Sequence, residues 1–540
     1  MEKKSTIIRR KIIAVLVLLA AWQLLSCLVN RVIFLPSVPD TLRALAGLAH
    51  TGDFYRSVGT SFLRIAAGFA LAVTTGVLLA VLAEPNAQLG EILQLLMQLI
   101  KSIPVASFVI LVLLWVRSAQ LSIVISFLMV LPVIFTNVRG GIRQTDKKLL
   151  EMAQVFGLKI SQKIRYIYLP AVRPAFTTAC SVGLGFCWKS GIAAEVIGLP
   201  AYSIGLQLYE AKLYLLTPEL FAWTIVIVLI STLFERAVMY LVRGRQMRRQ
   251  RIQKQHVSRR QIQGQHTQEQ SIRQQRTQGQ HTQNQHIRQL HSQEQYTEAQ
   301  HKQRPEHTDS GHTRPADRPD AASIVIKSLR KQFNDQLVLS DVSLSVSSGE
   351  RLCIMGASGI GKTTLLLILA GLEKPDSGEI TSAGRGRLAM VFQEDRLLEG
   401  EDAFTNVAVV LKASGNRQIV YPHGAAPITK PGVSTDCLQD RLRREFEQIG
   451  LTSYEGKPVA DFSGGMRRRV AIVRAVCADA DLILLDEPFK GLDEQSRIQT
   501  ARYIRERLAG RTLIAVTHDA ADANLLDAGI WVLKSQKDRQ

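Results

Sequence analysis

Apolar residues are distributed very unevenly along this chain. Up to about residue 242 they form long runs, roughly 8–29, 60–83, 91–116, 120–138, 174–198 and 221–242. Each approaches the ~20 residues a helix needs to cross a hydrocarbon core, so the pattern predicts about six transmembrane helices. The run 91–116 carries Lys101 and Pro104 and has the least definite ends. From about residue 323 onward the apolar runs are short and bounded by Gly, Pro and polar clusters. That texture predicts alternating strands and helices of a soluble α/β domain.

Between the two lies a stretch of different composition, 243–322, rich in Gln, Arg and His, in which QGQHTQ occurs at 263–268 and again at 278–283. It has no apolar face to bury, so it reads as a disordered low-complexity tether rather than a solenoid. Eight of the 11 histidines fall in it, which raises metal binding, although their spacing fixes no coordination geometry. The expected organisation is multi-domain: an all-α polytopic membrane domain at 1–242, the linker at 243–322, and an α/β domain at 323–540.

The formal net charge of +20 sits mainly in the linker and beside the apolar runs. No aromatic platform or groove-reading motif accompanies it, which argues against a nucleic-acid partner. The six cysteines form no CxxC pair and no disulfide-like spacing, so they read as reduced thiols. Lys3, Lys4, Arg9, Arg10 and Lys11 precede the first run, which is long for a signal peptide and lacks a small-residue cleavage site. A signal anchor with a cytoplasmic N-terminus is the better reading. Six spans then place 139–173, with eight Lys and Arg, on the same side, as positive-inside orientation requires. The basic cluster after the sixth span falls there too.

Within 139–173 the segment LLEMAQVFGLKISQKIRYIYLP, residues 149–170, is short, basic, amphipathic, broken at Gly157 and expected to stop at Leu169–Pro170. Glu151, Met152, Ala153, three residues, Gly157, nine residues, then Ile167, Leu169 and Pro170 resemble the EAA loop of ABC importer permeases. Met152 alone departs, at a place where small residues are usual. The resemblance implies a coupling helix that docks in a cleft of an ATPase, with Glu151, Ala153, Gly157, Leu169 and Pro170 as its defining positions. Ionisable residues inside the apolar runs include Lys101, Lys189 and Glu195. They are candidates for a translocation path, and helix-to-helix pairing is the alternative.

In the soluble half, RLCIMGASGIGKTTL at 351–365 is a strand running into a Gly-rich turn and a helix. Gly356, Ala357, Ser358, Gly359, Ile360, Gly361, Lys362, Thr363 and Thr364 form a P-loop, whose N–H groups cradle phosphates, whose lysine reaches the β and γ oxygens, and whose Thr363 hydroxyl would ligate Mg²⁺. LILLDEP at 482–488 is a buried strand ending in Asp486, placed for Mg²⁺, and Glu487, placed to polarise the attacking water. VFQED with Gln393, FSGGMRRRV with Ser463, Gly464 and Gly465, GLD with Asp493, and TH with His518 occur in the order that resembles an ABC ATPase over about 323–535.

That resemblance implies further roles. Ser463, Gly464 and Gly465 would contact the γ-phosphate bound by a second copy, and Asp493 would link the two sites. Glu487, His518 and Gln393 would be catalytic, with Thr363, Gln393 and Asp486 around Mg²⁺. Phe333 is placed to stack on adenine, or else is a core aromatic of an edge strand. FSGGM stands where LSGGQ is more usual, and 413–437 lengthens the region between Gln393 and the signature, as a surface loop.

LPSVPDTL at 35–42 and AAEVIGLP at 193–200 resemble nitrate, sulfonate, taurine and bicarbonate permeases. The chain thus resembles a permease and its ATPase fused. This implies ATP hydrolysis coupled to import of a small solute, an anion of the nitrate, sulfonate or taurine type. It also implies a cell-membrane location, a homodimer and an extracytoplasmic substrate-binding protein. Export, a thiamine-precursor pyrimidine as solute, and a membrane-anchored regulatory ATPase are the alternatives; exporters lack an EAA loop.

Overall fold

The computed structural model describes residues 2–242, 322–334, 336–383, 386–413, 435–451 and 456–534. The linker reading, up to residue 321, and most of the loop expected at 413–437 lie outside the described residues. The chain divides into two compact units, 1–145 with 168–248 and 146–167 with 249–540. The segment 146–167 therefore leaves the apolar half and belongs with the C-terminal unit.

The first unit contains α1 (Glu2–Val29), α2 (Val38–Ala49), α3 (Gly52–Ala83), α4 (Ala87–Ser102), α5 (Val105–Leu113) and α6 (Ser118–Arg143). The excursion 146–167 supplies α7 (Lys147–Val155) and α8 (Ile160–Lys163) to the second unit. The first unit resumes with α9 (Leu169–Gly198), α10 (Ile204–Leu213) and α11 (Thr217–Val242). By length and composition α3, α6 and α11 can each cross a membrane.

The run expected to span at 91–116 is instead two helices, α4 and α5, bent by 100°. Pro104 is the cause: the residue before a proline is driven out of the α region, and Ile103 sits at φ −79°, ψ 127°. The expected stop at Leu169–Pro170 is not a stop either. A π-helical stretch, Ile164–Tyr168, runs directly into α9, and Pro170 occupies the first turn, where a missing N–H costs nothing.

The core of this unit packs α3, α6 and α9 through Ile65, Phe69, Val130, Ile134, Leu184 and Trp188. Of the three path candidates, Glu195 has a fully buried side chain that joins helices to one another. It accepts from Ser61 Oγ of α3 at 2.6 Å, from Ser122 Oγ of α6 at 3.3 Å and from the Gly205 N–H of α10 at 3.4 Å, with Arg64 Nη1 at 4.0 Å. A buried carboxyl group needs hydrogen-bond partners such as these to offset its desolvation. Four helices are thereby pinned at one point. Lys101 and Lys189 remain exposed, Lys101 Nζ lying 3.5 Å from Thr136 Oγ1.

The second unit has two sheets. β1 (Ser323–Phe333), β2 (Gln336–Val346) and β4 (Ser377–Ala383) form an antiparallel sheet in the order β2-β1-β4. β3 (Arg351–Met355), β5 (Leu388–Val391), β6 (Leu482–Asp486), β7 (Thr512–Val516) and β8 (Gly529–Val532) form a parallel sheet in the order β5-β6-β7-β3-β8. Its remaining helices are α12 (Lys362–Leu369), α13 (Ala403–Ala413), α14 (Thr435–Gln448), α15 (Gly464–Cys477), α16 (Glu494–Leu508) and α17 (Ala520–Leu526). β6 and β7 are buried along their whole length, as unbroken apolar runs such as LILL and TLIAV require.

Glu195→Ala should strip Ser61, Ser122 and Gly205 of their shared acceptor at a cost of about 1–3 kcal/mol. The expected reading is a lower thermal unfolding midpoint of the detergent-solubilised protein. Glu195→Gln, which keeps an acceptor oxygen, should lose less.

Candidate active site

In the parallel sheet, Ile354 of β3 lies opposite Val516 of β7, and Val516 lies opposite Asp486 of β6. That single row brings three loops to the C-terminal edge: the P-loop after β3, Asp486–Glu487 after β6 and Thr517–His518 after β7. Ligands of open α/β sheets bind at this edge. The P-loop turns at Gly361, whose φ of +103° suits glycine and where a Cβ would come within 2.7 Å of Leu339. α12 starts at the next residue, so its free N–H groups and the Lys362 ammonium converge on the loop. Lys362 Nζ donates to the Gly356 and Ala357 carbonyls, both at 2.8 Å.

Asp486 is buried at the end of β6, and among the described residues neither carboxylate oxygen has a partner at normal hydrogen-bond geometry. Burial pushes its pKa above the ordinary aspartate value, against the opposing influence of the Thr363 hydroxyl and of Arg468 and Lys362. Two orphaned buried oxygens beside a P-loop threonine fit a hard divalent cation that would restore their lost interactions. Glu487 takes a left-handed backbone at φ +48°, held by its N–H donating to the Val516 carbonyl at 2.9 Å. Its carboxylate lies 3.9 Å from His518 Nδ1 and 3.0 Å from Lys490 Nζ.

The other motif residues are placed as follows. Phe333 ends β1, the central strand of its sheet, and is 42% exposed, so it is neither core nor edge; Lys331 Nζ lies 4.8 Å from its ring. Ser463 caps α15, accepting from the Met466 N–H at 3.3 Å, and stands exposed with Gly464 at that helix N-terminus. Asp493 caps α16, and the Ser496 N–H and hydroxyl, both at 2.9 Å, hold its carboxyl below the usual range.

Gln393 is exposed, and its backbone is gripped by an arginine that the motifs did not single out. Arg468 of α15 donates to the Phe392 and Gln393 carbonyls at 2.6 and 2.8 Å and pairs with Asp395 at 3.1 Å. Arg474, one helical stretch further on and fully buried, donates to the Arg396 and Asp395 carbonyls, both at 2.8 Å. Burial lowers the Arg474 pKa to about 10.

The excursion 146–167 is seated beside this clamped stretch. Met152 and Ala153 are fully buried and join Phe156, Leu158 and Ile167 in the core of the second unit. Glu151 pairs with Arg396 at 2.6 Å and Lys148 with Glu394 at 2.5 Å, and the Arg474 guanidinium lies 5.2 Å over the Phe156 ring. Gln162 Nε2 donates to the Val409 carbonyl at 3.0 Å. α7 ends in a Schellman turn: the Leu158 N–H reaches the Ala153 carbonyl at 2.8 Å, the Gly157 N–H reaches that of Gln154 at 3.0 Å, and Gly157 is left-handed at φ +60°. Met152, the departure from the small-residue pattern, fills space in the core. Leu169 is exposed at the head of α9.

A parallel sheet that delivers a P-loop, a carboxylate pair and a histidine to one edge defines a P-loop nucleoside triphosphatase. A profile described as ABC transporter matches residues 339–490, and one described as binding-protein-dependent transport system inner membrane component matches 72–247. The taurine import ATP-binding protein TauB of Pseudomonas aeruginosa is 34% identical over 220 residues, 39% of this chain and 77% of that relative. The aliphatic sulfonates import ATP-binding protein SsuB 1 of Rhodococcus jostii is 35% identical over 211 residues, 38% and 76% of the two chains. A solved dimeric post-hydrolysis state of the ATP-binding cassette MJ0796 bound to ADP and Pi is 27% identical, covers 39% of this chain and 94% of that one, and has a TM-score of 0.33. The chain therefore belongs to the ABC transporter family, with a permease component and an ATP-binding component in one polypeptide. It is a membrane protein that binds ATP and couples its hydrolysis to transport.

Glu151→Arg should uncouple ATP hydrolysis from uptake by placing two cations together, and adding Arg396→Glu should restore much of the coupling by reversing the pair; uptake per ATP in proteoliposomes checks both. Gly157→Val should also uncouple, because a β-branched residue resists the left-handed turn. Gly157→Asn, which tolerates it, should stay within about threefold of wild type.

Proposed function

We propose that this chain is one half of a binding-protein-dependent importer of the cell membrane, carrying a small sulfonate or similar anion inward. The observation that carries the reading is the seating of 146–167 in the ATPase core: Met152 and Ala153 buried, Glu151 on Arg396, next to Gln393. A loop of the permease sequence built into the nucleotide-binding unit is what importer coupling requires. The relatives' own names, taurine and aliphatic sulfonate import ATP-binding proteins, support the solute class.

ATP would bind with its phosphates over the P-loop, Lys362 leaving the Gly356 and Ala357 carbonyls to reach the β and γ oxygens, and with adenine against the half-exposed face of Phe333. Thr363, Asp486 and Gln393 would hold Mg²⁺, which when bound offsets charge on the phosphate oxygens. Glu487 would accept a proton from the attacking water, and His518 would orient that water and the γ-phosphate. The signature residues Ser463 and Gly464 stand exposed at a helix N-terminus with Gly465 behind them, a ready anion site, and all three would complete the ATP site of a second copy. Asp493 would sit between the two sites, and a homodimer would then hold two of them. The basic N-terminus and basic 139–173 support a cytoplasmic ATPase, with an extracytoplasmic binding protein delivering solute. Lys101 and Lys189, both exposed on the permease helices, are the side chains suited to attract an anion along the path.

Glu487→Gln should cut ATP turnover by about a hundredfold or more, the size of a lost general base, while ATP binding persists. In lipid nanodiscs the wild type should be stimulated by an extracytoplasmic binding-protein fraction together with short sulfonates, and that stimulation should vanish in the variant. A high basal rate that answers only to hydrophobic compounds would point to export instead.

A further inference from the structure

One face of α11 packs Ala222, Trp223 and Val226 into the first unit and the rest is apolar and open, as in a lipid-facing helix, yet Glu235 and Arg236 stand side by side on it. Consecutive helical residues point about 100° apart, so the two charges cannot pair with each other. Among the described residues neither forms an ion pair. Glu235 leans on α9, accepting from Ser181 Oγ at 2.9 Å, while Arg236 faces outward. Together with Thr232 and Met239 these three line a groove of ≈ 290 Å³ on the flank of the helix pair. A charged, open groove on an otherwise apolar flank needs a polar occupant that reaches it from the bilayer.

Depth identifies which part of the bilayer that is. From Thr217 to Arg236 the helix rises about 30 Å, one hydrocarbon thickness. Tyr214, just before α11, and Tyr240, in its last turn, are each 69% exposed and stand at a separation suited to the two aromatic belts. Glu235 and Arg236 therefore lie where acyl chains give way to headgroups. Further out along the same seam, Arg173 of α9 donates to the Val242 carbonyl at 3.1 Å, adding positive charge on the headgroup side.

We propose that this groove between α9 and α11 is a binding site for a phospholipid headgroup that carries both a phosphate and a primary ammonium. Arg236 takes the phosphate through its forked donors, and the free oxygen of the Glu235 carboxylate takes the ammonium. A choline headgroup has no N–H to give, and a glycerol headgroup has no cation. The site discriminates among lipids through Glu235 and retains them through Arg236.

The full-length chain would be assembled in nanodiscs with equal amounts of phosphatidylethanolamine, phosphatidylcholine and phosphatidylglycerol, released, and its retained lipids counted by native mass spectrometry. Wild type should retain the ethanolamine lipid over the choline lipid by about tenfold, the factor of one charge-assisted hydrogen bond. Glu235→Gln should erase that preference while lipid is still retained, and Arg236→Gln should lose retention. Both positions are surface ones, and unchanged basal ATP hydrolysis would show that the variants fold. Equal retention of all three lipids by wild type, a preference for the glycerol lipid, or variants that retain the wild-type pattern would each overturn the proposal. Efficient Thr232→Cys cross-linking between two copies would also overturn it, by assigning the groove to a protein interface.

Discussion

The segment 146–167, which the membrane half lends to the second unit, depends on burial in that unit's core for its own structure. α7 has nine residues and would not persist as a helix in water. It is held because Met152, Ala153, Phe156 and Leu158 are buried in the ATPase core, with each of the larger side chains contributing up to about 1.5–3 kcal/mol. Apolar burial supplies the adhesion, while Glu151 on Arg396 supplies the register. An exposed ion pair alone is worth too little to hold such a segment, but beside a buried methionine it selects one seating among several.

That seating matters because of what lies behind it. The carbonyls of the stretch 392–396 are held by Arg468 and Arg474 from α15. α15 is capped by Ser463. The receptor for the permease loop and the residues that would complete a second copy's ATP site are thus carried on one helix. Meanwhile the hydrolytic groups hang from the parallel sheet, whose register through Ile354, Val516 and Asp486 leaves them little freedom.

Much of this was legible in the residues because phosphate chemistry restricts which residues can serve. Gly356, Gly361, Lys362, Asp486 and Glu487 are short-range patterns in which neighbours in sequence are neighbours in space. The EAA-like spacing was legible for a similar reason, since Gly157 closes a local turn. What escaped were features that need distant partners. Arg468 and Arg474 were not singled out, because nothing local says that their partners are carbonyls some 75 to 79 residues earlier. Glu195 read as a candidate for the path, since the serines that enclose it come from two other helices. Pro104 was noticed, yet the sequence of apolar residues around it masked a 100° break.

The excursion 146–167 is tethered at both ends to membrane helices and is bound by the ATPase of its own polypeptide. Its capture is therefore unimolecular, governed by an effective concentration that short tethers bring to the millimolar range and longer ones lower gradually. Separate subunits must find each other by diffusion and need on the order of 1,000 Å² of interface to remain together. A fused chain is released from that requirement. Its contact surface is free to be small, with the covalent link keeping the two halves together.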